Sequence, residues 1–112
     1  MAECVFCQIV AGKLPATKVH ETDDVVAFRD LHPQAPTHVL VIPKRHVAGL
    51  SSLEPEHAEV AGKVLLAVGE VARALGLTDY RVAINNGAGA GQTVFHLHLH
   101  LLGGRPLSWP PG

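Results

Sequence analysis

Phe95-His96-Leu97-His98-Leu99-His100-Leu101-Leu102 decides the reading of this chain. Read as a strand, it places His96, His98 and His100 on one face at intervals of about 6.6 to 6.8 Å, with Leu97, Leu99 and Leu101 on the other. One face is core and the other is chemistry. Histidines kept for structure alone would need hydrogen-bond partners for both nitrogens of every ring in apolar surroundings. Two chemical uses compete with that. The imidazoles could chelate a catalytic metal, because strand-borne His-x-His pairs bind zinc with a third ligand from elsewhere. Alternatively, one imidazole is a nucleophile, neutral near pH 7 and fixed in tautomer by a partner on its other nitrogen.

The segment before it, Asn85-Asn86-Gly87-Ala88-Gly89-Ala90-Gly91-Gln92-Thr93, favours a phosphate. Alternate glycines let backbone amides approach an anion and form a nest, and Gln92 and Thr93 carry further donors into the histidine strand. The loop opens no helix, so it is neither a dinucleotide-binding turn nor a P-loop. An Asn-Gly hairpin turn is the plainer alternative, although nine residues exceed what a tight turn needs.

Outward from there, Tyr80 to Ile84, Val25 to Phe28 and Thr37 to Ile42 read as strands. The Thr37 run is apolar on both alternating sets, which suits a central strand covered on both faces, and His38 shares its face with Leu40 and Ile42. Between Glu54 and Leu75 the period changes. Ala61, Val64, Leu65, Val68, Val71, Ala72 and Leu75 fall at helical spacing, opposite Glu56, Glu59, Lys63, Glu70 and Arg73. Pro55 suits the first turn and Gly76 the left-handed stop. Residues of about 5 to 11 have room for one or two helical turns before Gly12-Lys13-Leu14-Pro15.

A chain of 112 residues fits one domain, 1–112. A formal charge of -1 gives no cationic field for polymeric DNA or RNA, so any nucleic-acid partner should be small. Met1-Ala2-Glu3-Cys4 lacks a basic segment followed by an apolar one, and no run approaches the roughly 20 apolar residues that span a bilayer. A cytoplasmic protein is expected. Two cysteines suit a metal pair or reduced thiols better than a disulfide framework.

The run His96 to Leu102 resembles the signature of the histidine triad, or HIT, family. Asp30-Leu31-His32-Pro33-Gln34-Ala35-Pro36-Thr37-His38, Val41-Ile42-Pro43-Lys44-Arg45-His46 and the ending Leu102-Gly103-Gly104-Arg105 through Trp109-Pro110-Pro111-Gly112 resemble its nucleotide-binding branch. The resemblance implies an α+β fold: an antiparallel sheet of about five strands, one long helix and a short N-terminal helix. It also implies a homodimer with one continuous sheet, and hydrolysis of adenosine phosphoramidates or related nucleoside monophosphate derivatives. By position it assigns the nucleophile to His98, phosphoryl contacts to His100, Gln92 and Thr93, and a supporting role to His38. Asp30, with Leu31 beside it, falls where a carboxylate receives the ribose hydroxyls. Asn85 and Gly91 fall on the phosphate side. A purine nucleotide resembling AMP is the implied ligand, with no catalytic metal, and a nucleotide-binding or scaffold protein without turnover is the alternative.

Cys4-x2-Cys7 is half of a zinc site whose other half must come from distant histidines. The resemblance supplies them: some relatives bind structural zinc through this pair, the histidine after Pro-Lys and the first triad histidine, which are Cys4, Cys7, His46 and His96 here. A redox Cys-x-x-Cys is the competing use, but the pair follows no strand of a βαβ unit. Arg29 and His32, beside the nucleotide-side turn, and Trp109, in a tail that approaches the partner subunit in this branch, are positions where the resemblance leaves the role open.

Overall fold

The computed structural model of the chain describes residues 4–112, so Met1, Ala2 and Glu3 of the N-terminal reading lie outside the described residues. In order, the elements are α1 (Val5–Val10), β1 (Lys18–Glu21), β2 (Val25–Arg29), β3 (Thr37–Pro43), α2 (Ala58–Ala74), β4 (Tyr80–Ala83) and β5 (Leu99–Gly103). The strands form one antiparallel sheet in the order β1-β2-β3-β5-β4. This is the α+β architecture that the sequence leads one to expect, with one long helix and one short N-terminal one.

Local chemistry sets the connections. Thr22 closes the β1–β2 hairpin: its hydroxyl accepts from the N–H groups of Asp24 and Val25, and its own N–H reaches the Val25 carbonyl. The Pro-rich turn after β2 is held by Asp30, whose Oδ1 accepts from the His32 N–H at 2.8 Å. β3 is central, as its doubly apolar pattern requires. Val39 and Val41 join the core cluster under α2, while Leu40 and Ile42 join Phe6, Ile9, Val26 and Phe28 under α1.

The last strand corrects an expectation. It begins at Leu99, so of the three triad histidines only His100 lies in the ladder, and His96 to His98 form an irregular approach to it. Pro43 is the physical reason. The β3–β5 register pairs Val41 with Leu99, and two residues on it would set Pro43 opposite Leu97. Proline has no N–H to extend the ladder. The Leu97 N–H instead donates to the Val47 carbonyl at 2.6 Å. The two-face division survives: Leu97, Leu99 and Leu101 lie in the α2-side core.

The long helix is preceded by a 3-10 turn at Pro55–His57, where Glu54 and His57 form a reciprocal capping box. It stops at Gly76, with φ of +72°, where the Gly76 and Leu77 N–H groups close on Arg73 and Ala72. Its buried stripe is Val64, Ala67, Val68, Val71 and Ala72. Leu65, expected on that stripe, is 61% exposed, and Leu66 is 70% exposed. Helix geometry turns these two leucines away from the sheet and leaves an apolar patch on the surface.

Candidate active site and metal centre

Cys4 caps α1, with its Sγ 3.4 Å from the Cys7 N–H, so a single helical turn brings the two sulfurs together. The sheet supplies the rest. Cys7 Sγ lies 3.3 Å from His46 Nδ1 and 3.6 Å from His96 Nδ1, Cys4 Sγ lies 3.5 Å from His96 Nδ1, and the two imidazole nitrogens are 3.2 Å apart. Nitrogens at about 2.0 Å and sulfurs at about 2.3 Å from one tetrahedral ion are separated by about 3.3 Å (N to N) and about 3.5 Å (S to N). The four donors therefore fit zinc.

His96 is fully buried and donates its Nε2–H to the Pro43 carbonyl at 2.8 Å, which turns the Nδ1 lone pair toward the cluster. Burial holds its imidazole below the ordinary range, in the neutral form that ligates metals. Burial, then the Cys4 sulfur, push the Cys7 thiol up, so thiolate there calls for a cation between the sulfurs.

The other two triad histidines face a different group of residues. The His98 Nδ1–H donates to the His96 carbonyl at 2.7 Å, which leaves the lone pair of the neutral ring at Nε2. Next to it runs a chain of fixed tautomers. The Gln34 N–H donates to His38 Nδ1 at 3.0 Å, so the His38 proton sits on Nε2 and is directed to His100 Nδ1 at 2.9 Å. That leaves the His100 proton on Nε2, a buried atom with no hydrogen-bond partner. Burial pushes His100 down to about 4, with the neighbouring His98 and His38 adding to the shift, and burial also lowers His38. Both rings are neutral near pH 7. Asp30 Oδ2 lies 3.4 Å from His38 Nε2. Asp30, His38 and His100 lie close enough to share a cation, yet the His38–His100 hydrogen bond already accounts for their approach.

His98, His100, Thr93 and Asp30 open onto a cavity of about 280 Å³ whose walls are largely apolar: Val5, Phe6 and Ile9 of α1, with Pro15, Ala16, Phe28, Leu40 and Val94. Leu31, Arg29 and His32 line it as well. Apolar walls with a few convergent polar groups at one end suit a small organic ligand with an anionic terminus. A larger hollow, about 660 Å³, runs along Gly76 to Arg81 and Gly104 to Leu107 and holds none of the candidate residues.

A model of the HIT domain matches residues 11–107. The chain belongs to the HIT family. It is 54% identical over 114 residues to an uncharacterized HIT-like protein of Synechocystis sp., covering 100% of both chains. To a 14 kDa zinc-binding protein of Zea mays it is 48% identical over 111 residues, 96% of this chain and 87% of that one. Among solved structures, a HIT family hydrolase from Legionella pneumophila superposes with a TM-score of 0.95 at 46% identity, over 98% of this chain and 100% of that one. A HIT family hydrolase from Clostridium thermocellum gives 0.94 at 43% identity, over 96% of each.

Within this HIT chain the glycine loop departs from the expected nest. The N–H groups of Ala90, Gly91 and Gln92 close on the carbonyls of Gly87 and Ala88 in a 3-10 turn at Ala88–Ala90. Gln92 is 5% exposed, donates both amide hydrogens to the Ala48 and Val94 carbonyls and accepts from the Gly87 N–H, so no donor is left for phosphate. It fastens the loop instead. Asn85 lies against Gly91, outside the cavity lining, and Thr93 is the loop residue that reaches the cavity beside Val94. Phe6 and the Gln34 N–H escaped sequence reading, since an aromatic in α1 and a backbone donor carry no motif. The side chain of Arg105 donates to the Gln34 carbonyl at 3.0 Å, tying the C-terminal turn to the same loop. Trp109 is exposed and stacks under the Arg81 guanidinium, 5.5 Å from the ring centroid, rather than on the core.

Proposed function

We propose that the chain hydrolyses nucleoside 5′-monophosphate derivatives, phosphoramidates above all and adenosine ones by preference, through a nucleotidyl intermediate on His98. The observation that carries this is the pairing of a free Nε2 lone pair on His98 with the unpartnered Nε2–H of His100 beside one cavity. Nε2 of His98 attacks the α-phosphorus as the bond to the leaving amine breaks, and the amine departs with a proton from solvent. Water then attacks the same phosphorus, releasing the nucleoside monophosphate, restoring His98 and returning a proton to solvent. His100 donates to a phosphoryl oxygen, and neutral donors suit a reaction that is mostly positioning and charge stabilisation. His38 keeps His100 in its donating tautomer. The Thr93 hydroxyl contacts the phosphoryl group with Asn85 and Gly91 on the phosphate side, Asp30 receives the ribose hydroxyls beside Leu31, and Gln92 fastens the loop behind them.

Zinc held by Cys4, Cys7, His46 and His96 would be closed to water, and it supplies cross-linking of α1 to the sheet rather than hydrolytic chemistry. Turnover in this reading uses no catalytic metal. The whole of 1–112 acts as one domain, in the cytoplasm, where unpaired thiols such as Cys4 and Cys7 stay reduced. Among the described residues, no helix is long and apolar enough to cross a membrane. The ligand is a small nucleotide rather than a DNA or RNA polymer, consistent with the net charge of -1. Two chains pair through the outer edge of β4, where Tyr80 and Val82 are exposed.

Release of AMP from an adenosine 5′-phosphoramidate, followed by chromatography, tests the activity. Turnover by the wild type and its loss in His98→Ala support it; binding of AMP without turnover turns the reading to a nucleotide-binding protein.

A further inference from the structure

We infer that the metal centre and the nucleophile are one coupled device, in which His96 and Phe6 are positioning residues that make nucleotide binding depend on metal occupancy. This rests on the reading of His98 as the nucleophile beside the nucleotide.

Two separate links join the centres. The first is His96 itself. Its Nδ1 faces the sulfurs and His46, its Nε2–H is held by the Pro43 carbonyl, and its own carbonyl accepts the His98 Nδ1–H at 2.7 Å. The residue is fully buried, so no water replaces any of these partners, and it lies in irregular backbone just before β5 rather than in the ladder. Ring and carbonyl belong to one residue in irregular backbone, so a main-chain shift that follows loss of the metal moves the carbonyl that orients His98. The second link is Phe6. It stands between the two cysteines on a helix of six residues, too short to hold its own shape without anchoring. Its ring meets His98 edge-on with centroids 5.2 Å apart and His96 at 5.9 Å, and it also lines the cavity. The metal thus fixes one wall of the cavity and the orientation of the attacking nitrogen together.

Coupling of this kind is reciprocal: if the metal strengthens nucleotide binding, the nucleotide must change the metal site by the same free energy. The test uses the wild-type chain loaded with cobalt(II), whose visible absorption reports ligand geometry, titrated with AMP while the imidazole NMR signals of His98 and His100 report occupancy. The expected result is a change in the cobalt spectrum that saturates with those signals. Chelator-stripped protein that keeps its far-UV circular dichroism should bind AMP about tenfold more weakly, within the range usual for coupled sites. AMP saturation with an unchanged cobalt spectrum overturns the inference, as does equal affinity in folded, stripped protein. If stripping unfolds the chain, the cobalt titration alone decides. A chain that binds no AMP at all contradicts the functional reading first, and this inference falls with it.

Discussion

Nε2 of His38 lies 2.9 Å from Nδ1 of His100, and because His38 Nδ1 already accepts the Gln34 N–H, the proton between the two rings belongs to His38. The consequence is a buried donor at His100 Nε2 with nothing to bond until a ligand supplies an oxygen. Removing that donor with His100→Ala should lower kcat by about 10² to 10³, the usual loss for one preorganised oxyanion donor. His38→Ala should lower kcat by a smaller factor and also destabilise the fold by roughly 1 to 3 kcal/mol, since the Gln34 N–H loses its acceptor. Steady-state kinetics and urea unfolding on the two variants separate the effects.

Acid should weaken the fold through the same histidines. The folded chain holds His100 down at about 4, with His38 also lowered by burial, whereas the unfolded chain protonates histidine near its ordinary value. Between about pH 6.5 and pH 4 the unfolded state binds more protons, so stability is present above that window and is lost as pH falls through it. Each such group contributes at most about 1.4 kcal/mol per pH unit. Urea midpoints should fall steadily over this range, and His100→Asn should show a shallower slope than the wild type. Equal slopes would remove His100 from the account.

Purified without added metal, the chain should carry one zinc ion by elemental analysis. Cys7→Ser should lose it and melt at least about 8 °C lower, the shift that roughly 2 kcal/mol produces in a chain of this size. Retention of a full equivalent of zinc by Cys7→Ser would exclude Cys7 from the site.

Tyr80 and Val82 are exposed on β4, whose outer edge is unpaired. Val82→Lys should convert a dimer to a monomer in sedimentation velocity with little change in the circular dichroism of the chain. A wild type that sediments as a monomer would contradict the proposed pairing.

Period and pattern made much of the fold legible: the long helix with Pro55 and Gly76 at its ends, the central strand with two apolar faces, and the leucine side of the histidine run. The start of β5 was hidden because alternation continues through His96 and His98, while the ladder is ended by Pro43 on a different strand. Leu65 falls outside the stripe that its spacing predicts, because a leucine at helical spacing carries no mark of which flank it occupies. In the site, the Cys4-x2-Cys7 spacing is itself half of a zinc pattern, and the resemblance supplied His46 and His96, which the fold brings beside the two cysteines. Gln92 was not legible, since an amide beside glycines serves a phosphate or a loop equally well until its three hydrogen bonds are seen. Phe6 and Gln34 act through a ring edge and a backbone N–H, which only packing brings to the histidines.

The central claim, a nucleotidyl bond to His98 Nε2, is tested most directly by quenching the reaction with an adenosine 5′-phosphoramidate in acid-free denaturant and reading the mass of the intact chain and its peptides. One adenylyl group on the peptide that contains His98, absent from His98→Asn, is the predicted result. Turnover that proceeds at full rate in His98→Asn, or an adenylyl group found on a different residue, would contradict it.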